Sequence, residues 1–167
     1  MSLFAPLQMA CLASFGVLLL VAAWQDLRTL RIADGLAIGI AASYAVWALS
    51  GLALGTTSYS SIALALLGAV LLFAAGAGAF AAGALGGGDV KLLAAAGLFA
   101  GPGLMPDFLL VTAIVGGLLG AAILAGAPLG PPGPASQAAA TTLKRGLPYG
   151  PAIAAGGLWV ATLLALP

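Results

Sequence analysis

Residues 91–107 read KLLAAAGLFAGPGLMPD, and whether this stretch crosses a membrane decides the architecture of the chain. Fifteen uncharged residues separate Lys91 from Asp107, about 22 Å of helix at about 1.5 Å per residue. A bilayer's hydrocarbon core is about 30 Å thick. The stretch therefore either fails to cross, or crosses with one charged end drawn below the headgroups.

The rest of the chain shows that lipid is the relevant solvent. It has 167 residues, 63% hydrophobic and 5% charged, with a mean hydropathy of +1.21. Ordinary globular domains carry about 25% charged residues, so these residues cannot build a water-facing surface. Only helices and closed barrels satisfy the backbone in lipid. Barrels need alternating strands of about ten residues, whereas the apolar runs here are long and continuous. The expected fold is all-α, one membrane-embedded domain over residues 1–167. The single Cys11 excludes an internal disulfide or a cysteine-built metal site. The lack of histidine removes the commonest metal ligand and neutral-pH proton carrier. No metal or other cofactor is expected, and no nucleic acid partner.

Six apolar segments follow. Leu3–Trp24 lacks a basic leading region and reads as a retained helix rather than a cleaved signal. QDLRTLRIAD, residues 25–34, is a charged break. Gly35–Leu54 and Ser60–Gly83 are the second and third helices, joined by the polar turn GTTSY at 55–59. Leu92–Met105 is the short fourth segment, Phe108–Ala127 the fifth and Tyr149–Leu166 the sixth. A proline-rich stretch, PLGPPGPASQ at 128–137, opens the loop that runs to Pro148. Charge decides whether the fourth segment crosses. With six crossings, the breaks at 25–34, 84–91 and 128–148 share one side. That side then holds Arg28, Arg31, Lys91, Lys144 and Arg145, every basic residue in the chain. The positive-inside rule selects this arrangement: six transmembrane helices, basic loops in the cytoplasm and both termini outside.

This topology brings three of the four acids to the cytoplasmic edge. Asp26 ends the first helix, Asp89 begins the fourth, and Asp34 joins them; Asp107 lies on the far side. An acid at membrane depth costs about 2.5–3.5 kcal/mol on insertion scales, and the short fourth segment draws Asp89 inward. Two carboxylates brought together there cannot both ionise cheaply. Such a pair supplies a base to activate water and an acid to protonate a leaving amine. On spacing alone, plainer readings remain open. Asp89 also suits a helix cap, DLR at a helix end suits an interfacial anchor, and the GxxxG spacings at Gly35/Gly39, Gly97/Gly101 and Gly116/Gly120 suit helix packing. A small transporter would need polar groups near the midplane, where only Ser14, Ser43 and Thr112 offer themselves. A non-catalytic assembly protein would explain the small-residue faces but not two acids on one edge.

Gly86, Gly88, Asp89 and Lys91 in ALGGGDVKL (residues 84–92) match GxGDxK as it occurs in the type IV prepilin peptidases. DLRTLRIADGL, residues 26–36, resembles the first motif of that family, in which an aspartate starts the loop after a helix. LPYGPAIAAG, residues 147–156, is similar to its last motif before the final helix. Ala33 departs from the pattern, which often has proline there. GxGD alone is shared with presenilin-like intramembrane proteases; the three motifs in order are more specific. The resemblance implies an inner-membrane aspartyl endopeptidase that removes the short basic leader of prepilins on the cytoplasmic side. Asp26 and Asp89 would be the catalytic pair, with Gly86, Gly88 and Lys91 forming the motif where substrate approaches. Its partners would be a prepilin and the lipid bilayer. Larger members add a cytoplasmic domain with paired CxxC motifs. With one cysteine, these residues resemble the small, peptidase-only form that serves Flp/Tad-type pili. The sequence does not specify the oligomeric state.

Overall fold

The computed structural model describes residues 4–127 and 148–166. The expected loop at 128–148, with Lys144 and Arg145, lies outside the described residues apart from Pro148. Five helices account for most of what is described: α1 (Phe4–Thr29), α2 (Asp34–Leu54), α3 (Tyr59–Ala81), α4 (Gly87–Leu124) and α5 (Gly150–Ala165). There is no strand among the described residues.

Local chemistry sets the helix ends. Ser58 caps α3 by accepting the Ser61 N–H at 3.1 Å, as a hydroxyl does for an otherwise unpaired first-turn donor. Helices α2, α3 and α4 close alike, on Gly55, Gly83 and Gly126 at φ of 70°, 73° and 90°. At the first of these, Gly55 N–H donates to Leu52 O at 3.1 Å and Thr56 N–H to Gly51 O at 2.9 Å. This is the Schellman arrangement, which needs the left-handed residue that glycine adopts without strain. Helix α1 ends differently: Leu30, at φ 51°, is the one non-glycine at positive φ among the described residues.

The stretch at 91–107 does not form an element of its own. Helix α4 continues through it as a 38-residue element, broken inside at Gly101 (φ 53°, ψ −169°) and followed by Pro102. A glycine at positive φ and a proline without an N–H interrupt the helical ladder there. The expected boundary at Pro106 and Asp107 therefore falls inside the second arm. Four helices, α1 to α4, are long and apolar enough to cross a membrane, and α5 is a shorter apolar helix of 16 residues. The expected fourth and fifth spans thus adjoin as the two arms of α4, meeting at the break at Gly101 with no loop between them.

Helices α1, α2, α5 and the first arm of α4 enclose the core, and α3 packs chiefly on α4. Phe15 of α1 stacks on Phe99 of α4, with centroids 4.2 Å apart and planes 15° apart, and Tyr44 of α2 meets Phe99 edge-on at 5.4 Å. Large side chains such as Leu20, Val70, Leu71, Leu110 and Leu118 stand on the outside. That surface matches lipid and not water. Of the GxxxG residues, Gly97 lies against Leu72 and Gly39 against Leu18, whereas Gly101 forms the break in α4.

Helices α4 and α5 are in close contact at Gly156, where an added Cβ would lie 2.7 Å from the Phe108 carbonyl oxygen. A backbone oxygen cannot swing aside, so Gly156→Ala must push the helices apart. Overpacking of this kind costs about 1–3 kcal/mol. The expected result is a melting temperature several degrees lower in a thermal scan of the detergent-solubilised protein. An unchanged melting temperature would contradict the packing of α4 on α5.

Candidate active site

Asp26 occupies the last turn of α1, and Asp89 is the third residue of α4. Although 63 residues apart in sequence, they line one pocket of about 310 Å³ together with Leu30, Arg31, Ile32, Asp34, Gly86, Gly87 and Gly88. Both are almost wholly buried, Asp26 4% and Asp89 6% exposed. Burial of a carboxylate is tolerated only with hydrogen bonds to replace water, and each receives one from a backbone N–H. Gly150, the first residue of α5, donates to Asp26 Oδ2 at 2.7 Å. Gly86 donates to Asp89 Oδ2 at 3.3 Å, the side chain reaching back over the first turn as in half of a capping box. Among the described residues, Asp89 Oδ1 is buried with no hydrogen-bond partner. An oxygen left so is costly and calls for a donor.

Gly86, Gly87 and Gly88 all line the pocket. A Cβ on Gly88 would stand 3.1 Å from Ile32 Cβ and 3.4 Å from Ile32 N and O. The room left by Gly88 is filled by the loop between α1 and α2, which closes onto the start of α4. Gly87 looks the other way, toward Phe80 of α3 at 3.5 Å. Lys91 does not line the pocket. Its Nζ pairs with Asp34 Oδ1 at 2.7 Å, both side chains well exposed, so the pair ties α4 to α2 weakly, by about 0–1 kcal/mol. Arg28 lies over the ring of exposed Trp24, 4.6 Å from its centroid, as an interfacial anchor would. Among the described residues no three His, Cys, Asp or Glu side chains are grouped to hold a metal ion.

Three contributors escaped the reading of the sequence. Leu30 and Ile32 enter the pocket through backbone geometry that no residue type announces. Gly150 lay within a quoted motif, but nothing in the sequence tied it to Asp26, 124 residues away.

A model of the type IV leader peptidase family matches residues 13–121, about two thirds of the chain. The chain belongs to that family. No curated protein and no solved structure matches it. The match spans Asp26, the loop after it and the whole GGGD turn, and stops before α5. Family membership together with four long apolar helices makes the chain a multi-pass membrane peptidase.

The contact between Gly88 and Ile32 can be tested directly. Gly88→Val adds a branched side chain where Ile32 already stands, so the α1–α2 loop must shift and carry one wall of the pocket with it. Peptidase activity should fall by about 100-fold, the scale of a displaced active-site geometry, with normal accumulation in the membrane fraction. Gly87→Ala makes an ordinary contact with Phe80 and should stay within about threefold of wild type by the same measure. Equal activity in the two variants would remove the role assigned to Gly88.

Proposed function

We propose that this peptidase is a GxGD-type aspartyl endopeptidase that removes the short basic leader from Flp-like type IV prepilins at the cytoplasmic edge of the inner membrane. The observation that carries this reading is the convergence of Asp26 and Asp89, buried, on one pocket at adjoining helix ends. Two such carboxylates hold one proton between them. The ionised member takes a proton from water as it attacks the scissile carbonyl, and the protonated member passes its proton to the leaving amine. The C–N bond breaks, and the two carboxyls have exchanged roles. Asp89 Oδ1 supports this, since a buried oxygen without a donor gains from any donor that a bound substrate brings to it.

The topology that suits this reading has six crossings, with the two arms of α4 as separate spans. Residues 87–100 precede the break at Gly101, about 21 Å of helix at about 1.5 Å per residue. So short an arm draws Asp89 toward the apolar region while leaving Lys91 beside Asp34 at the rim. All five basic residues then lie in the cytoplasm, as the positive-inside rule favours, and a basic leader meets the site from that side.

Coexpression with a Flp-type prepilin tests the chemistry. Asp26→Asn and Asp89→Asn should each lower cleavage by at least about 100-fold, the low end of what acid–base groups supply, without loss of membrane-inserted protein. Asp34→Asn should retain most of the activity, because it removes only an exposed ion pair, and EDTA should leave the rate unchanged. Wild-type cleavage by Asp89→Asn would end the two-aspartate reading; loss in EDTA, restored by a divalent cation, would replace it with a carboxylate-bound metal.

Cysteine labelling tests the topology. After replacement of Cys11, a cysteine at Ser136 should react from the cytoplasm and one at Thr57 from the opposite side. Reaction of both from one side would break the six-crossing arrangement.

A further inference from the structure

We propose that Gly150 is a positioning residue for peptide cleavage: its backbone N–H and its missing side chain together fix the Asp26 carboxyl in the pocket. The role rests on the reading of Asp26 as one of the catalytic pair. It goes beyond the family match, which ends at residue 121.

Three features of the geometry carry it. First, the bond is short, 2.7 Å from Gly150 N to Asp26 Oδ2, and buried. Among the described residues it is one of two backbone bonds to the Asp26 and Asp89 side chains, and the other, to Asp89, is longer at 3.3 Å. Second, the donor comes from a place where donors are spare. Gly150 opens α5, so its N–H has no partner within the helix; Pro151 has none to give, and Ile153 N–H is already bonded to Tyr149 O at 3.0 Å. Asp26 in turn lies in the last turn of α1, where the helix dipole disfavours an anion. The start of α5 supplies the compensating field. Third, only glycine fits. A Cβ at 150 would lie 2.7 Å from Asp26 Cβ, 2.9 Å from Oδ2 and 3.1 Å from Cγ. Asp26 Cβ is fixed to the α1 backbone and cannot rotate away, so the carboxyl or the helix must move.

Helix α5 has little freedom to yield. Ala152, Ile153 and Ala154 are buried in the core, and Gly157 lies under Leu19 and Phe15 of α1. An added methyl at 150 therefore turns or displaces the carboxyl while the helix stays in place. With Oδ2 held by Gly150, the carboxyl keeps one orientation toward the pocket. Without that bond it rotates about Cα–Cβ and Cβ–Cγ, and the attacking water loses its base.

The experiment compares two glycines of the same helix in the prepilin cleavage assay. Gly150→Ala should lower kcat by about 100-fold, as a misplaced reacting group does, with KM within about threefold of wild type. Gly157→Ala, which meets Leu19 and Phe15 but not Asp26, should lower the melting temperature and leave kcat within about threefold. Retained kcat in Gly150→Ala, or an equal loss in both variants, would overturn the proposal. If Gly150→Ala does not accumulate, the bond itself can be read in wild-type protein labelled with 15N-glycine. The Gly150 amide should exchange slowly, lose that protection in Asp26→Ala and keep it in Asp89→Ala; the same response in both would also overturn it. An active Asp26→Asn would mean that the two-aspartate reading has failed. A dead Asp26→Asn beside an active Gly150→Ala would remove Gly150 alone.

Discussion

The structure is organised around burying two carboxylates in a chain whose solvent is lipid. Each costs several kcal/mol to desolvate unless a donor replaces its water, and few donors are at hand where side chains are 63% hydrophobic. The backbone at helix starts provides them. Gly150 N–H reaches Asp26 and Gly86 N–H reaches Asp89, both from positions whose N–H groups have no partner inside a helix. Satisfying the acids this way forces the end of α1 and the starts of α4 and α5 to one point. The close packing of α5 against both α1 and α4 follows from that convergence.

Register is set some distance below. Phe15 lies eleven residues before Asp26 and Phe99 ten residues after Asp89, about 16 Å and 15 Å along their helices. Since the two helices run in opposite senses from the site, both rings sit at similar depth, and they stack at 4.2 Å with Tyr44 edge-on. A slip of one turn between α1 and α4 would move Asp26 about 5.4 Å relative to Asp89 and separate the rings. The aromatic cluster thus holds the acids level with each other.

What was legible in the sequence is what depends on solvent and on local residue type. Long apolar runs specify helices in lipid, and α1, α2 and α3 lie within a few residues of where the runs place them. The GGGD turn and the aspartate at the end of the first helix are visible because charges are so few. The fourth segment was expected to end at Met105, whereas α4 breaks at Gly101; with prolines at both 102 and 106, only the positive φ of Gly101 shows where the first arm stops. Gly88 was visible as part of a motif, but a glycine in sequence does not show what packs against it; here Ile32 does. Lys91 was grouped with the acids by motif, whereas its long side chain reaches outward to Asp34. Gly150 could not be linked to Asp26 at all, since pairing across 124 residues depends on how α1 crosses α5.

The loop after Asp26 joins these elements into one unit. Leu30 takes a left-handed conformation that costs a non-glycine residue about 1–2 kcal/mol, and its N–H bonds to the carbonyl of Asp26 itself at 2.8 Å. The chain thereby turns sharply enough to bring Ile32 onto Gly88, and Gln25 Oε1 accepts the Ala33 N–H at 3.3 Å to hold the turn from the other side. Strain at one residue next to a buried acid is kept only where surrounding contacts over-determine it, and here the contact is with the glycine preceding the second acid. The pocket enclosed is small, about 310 Å³, room for roughly ten waters at about 30 Å³ each. An α-helix about 10–12 Å across does not fit such a space. On the proposed reading, a peptide bond reaches Asp26 and Asp89 only after the substrate unwinds at that point, so the tightness of the Leu30–Ile32 turn itself selects an extended strand.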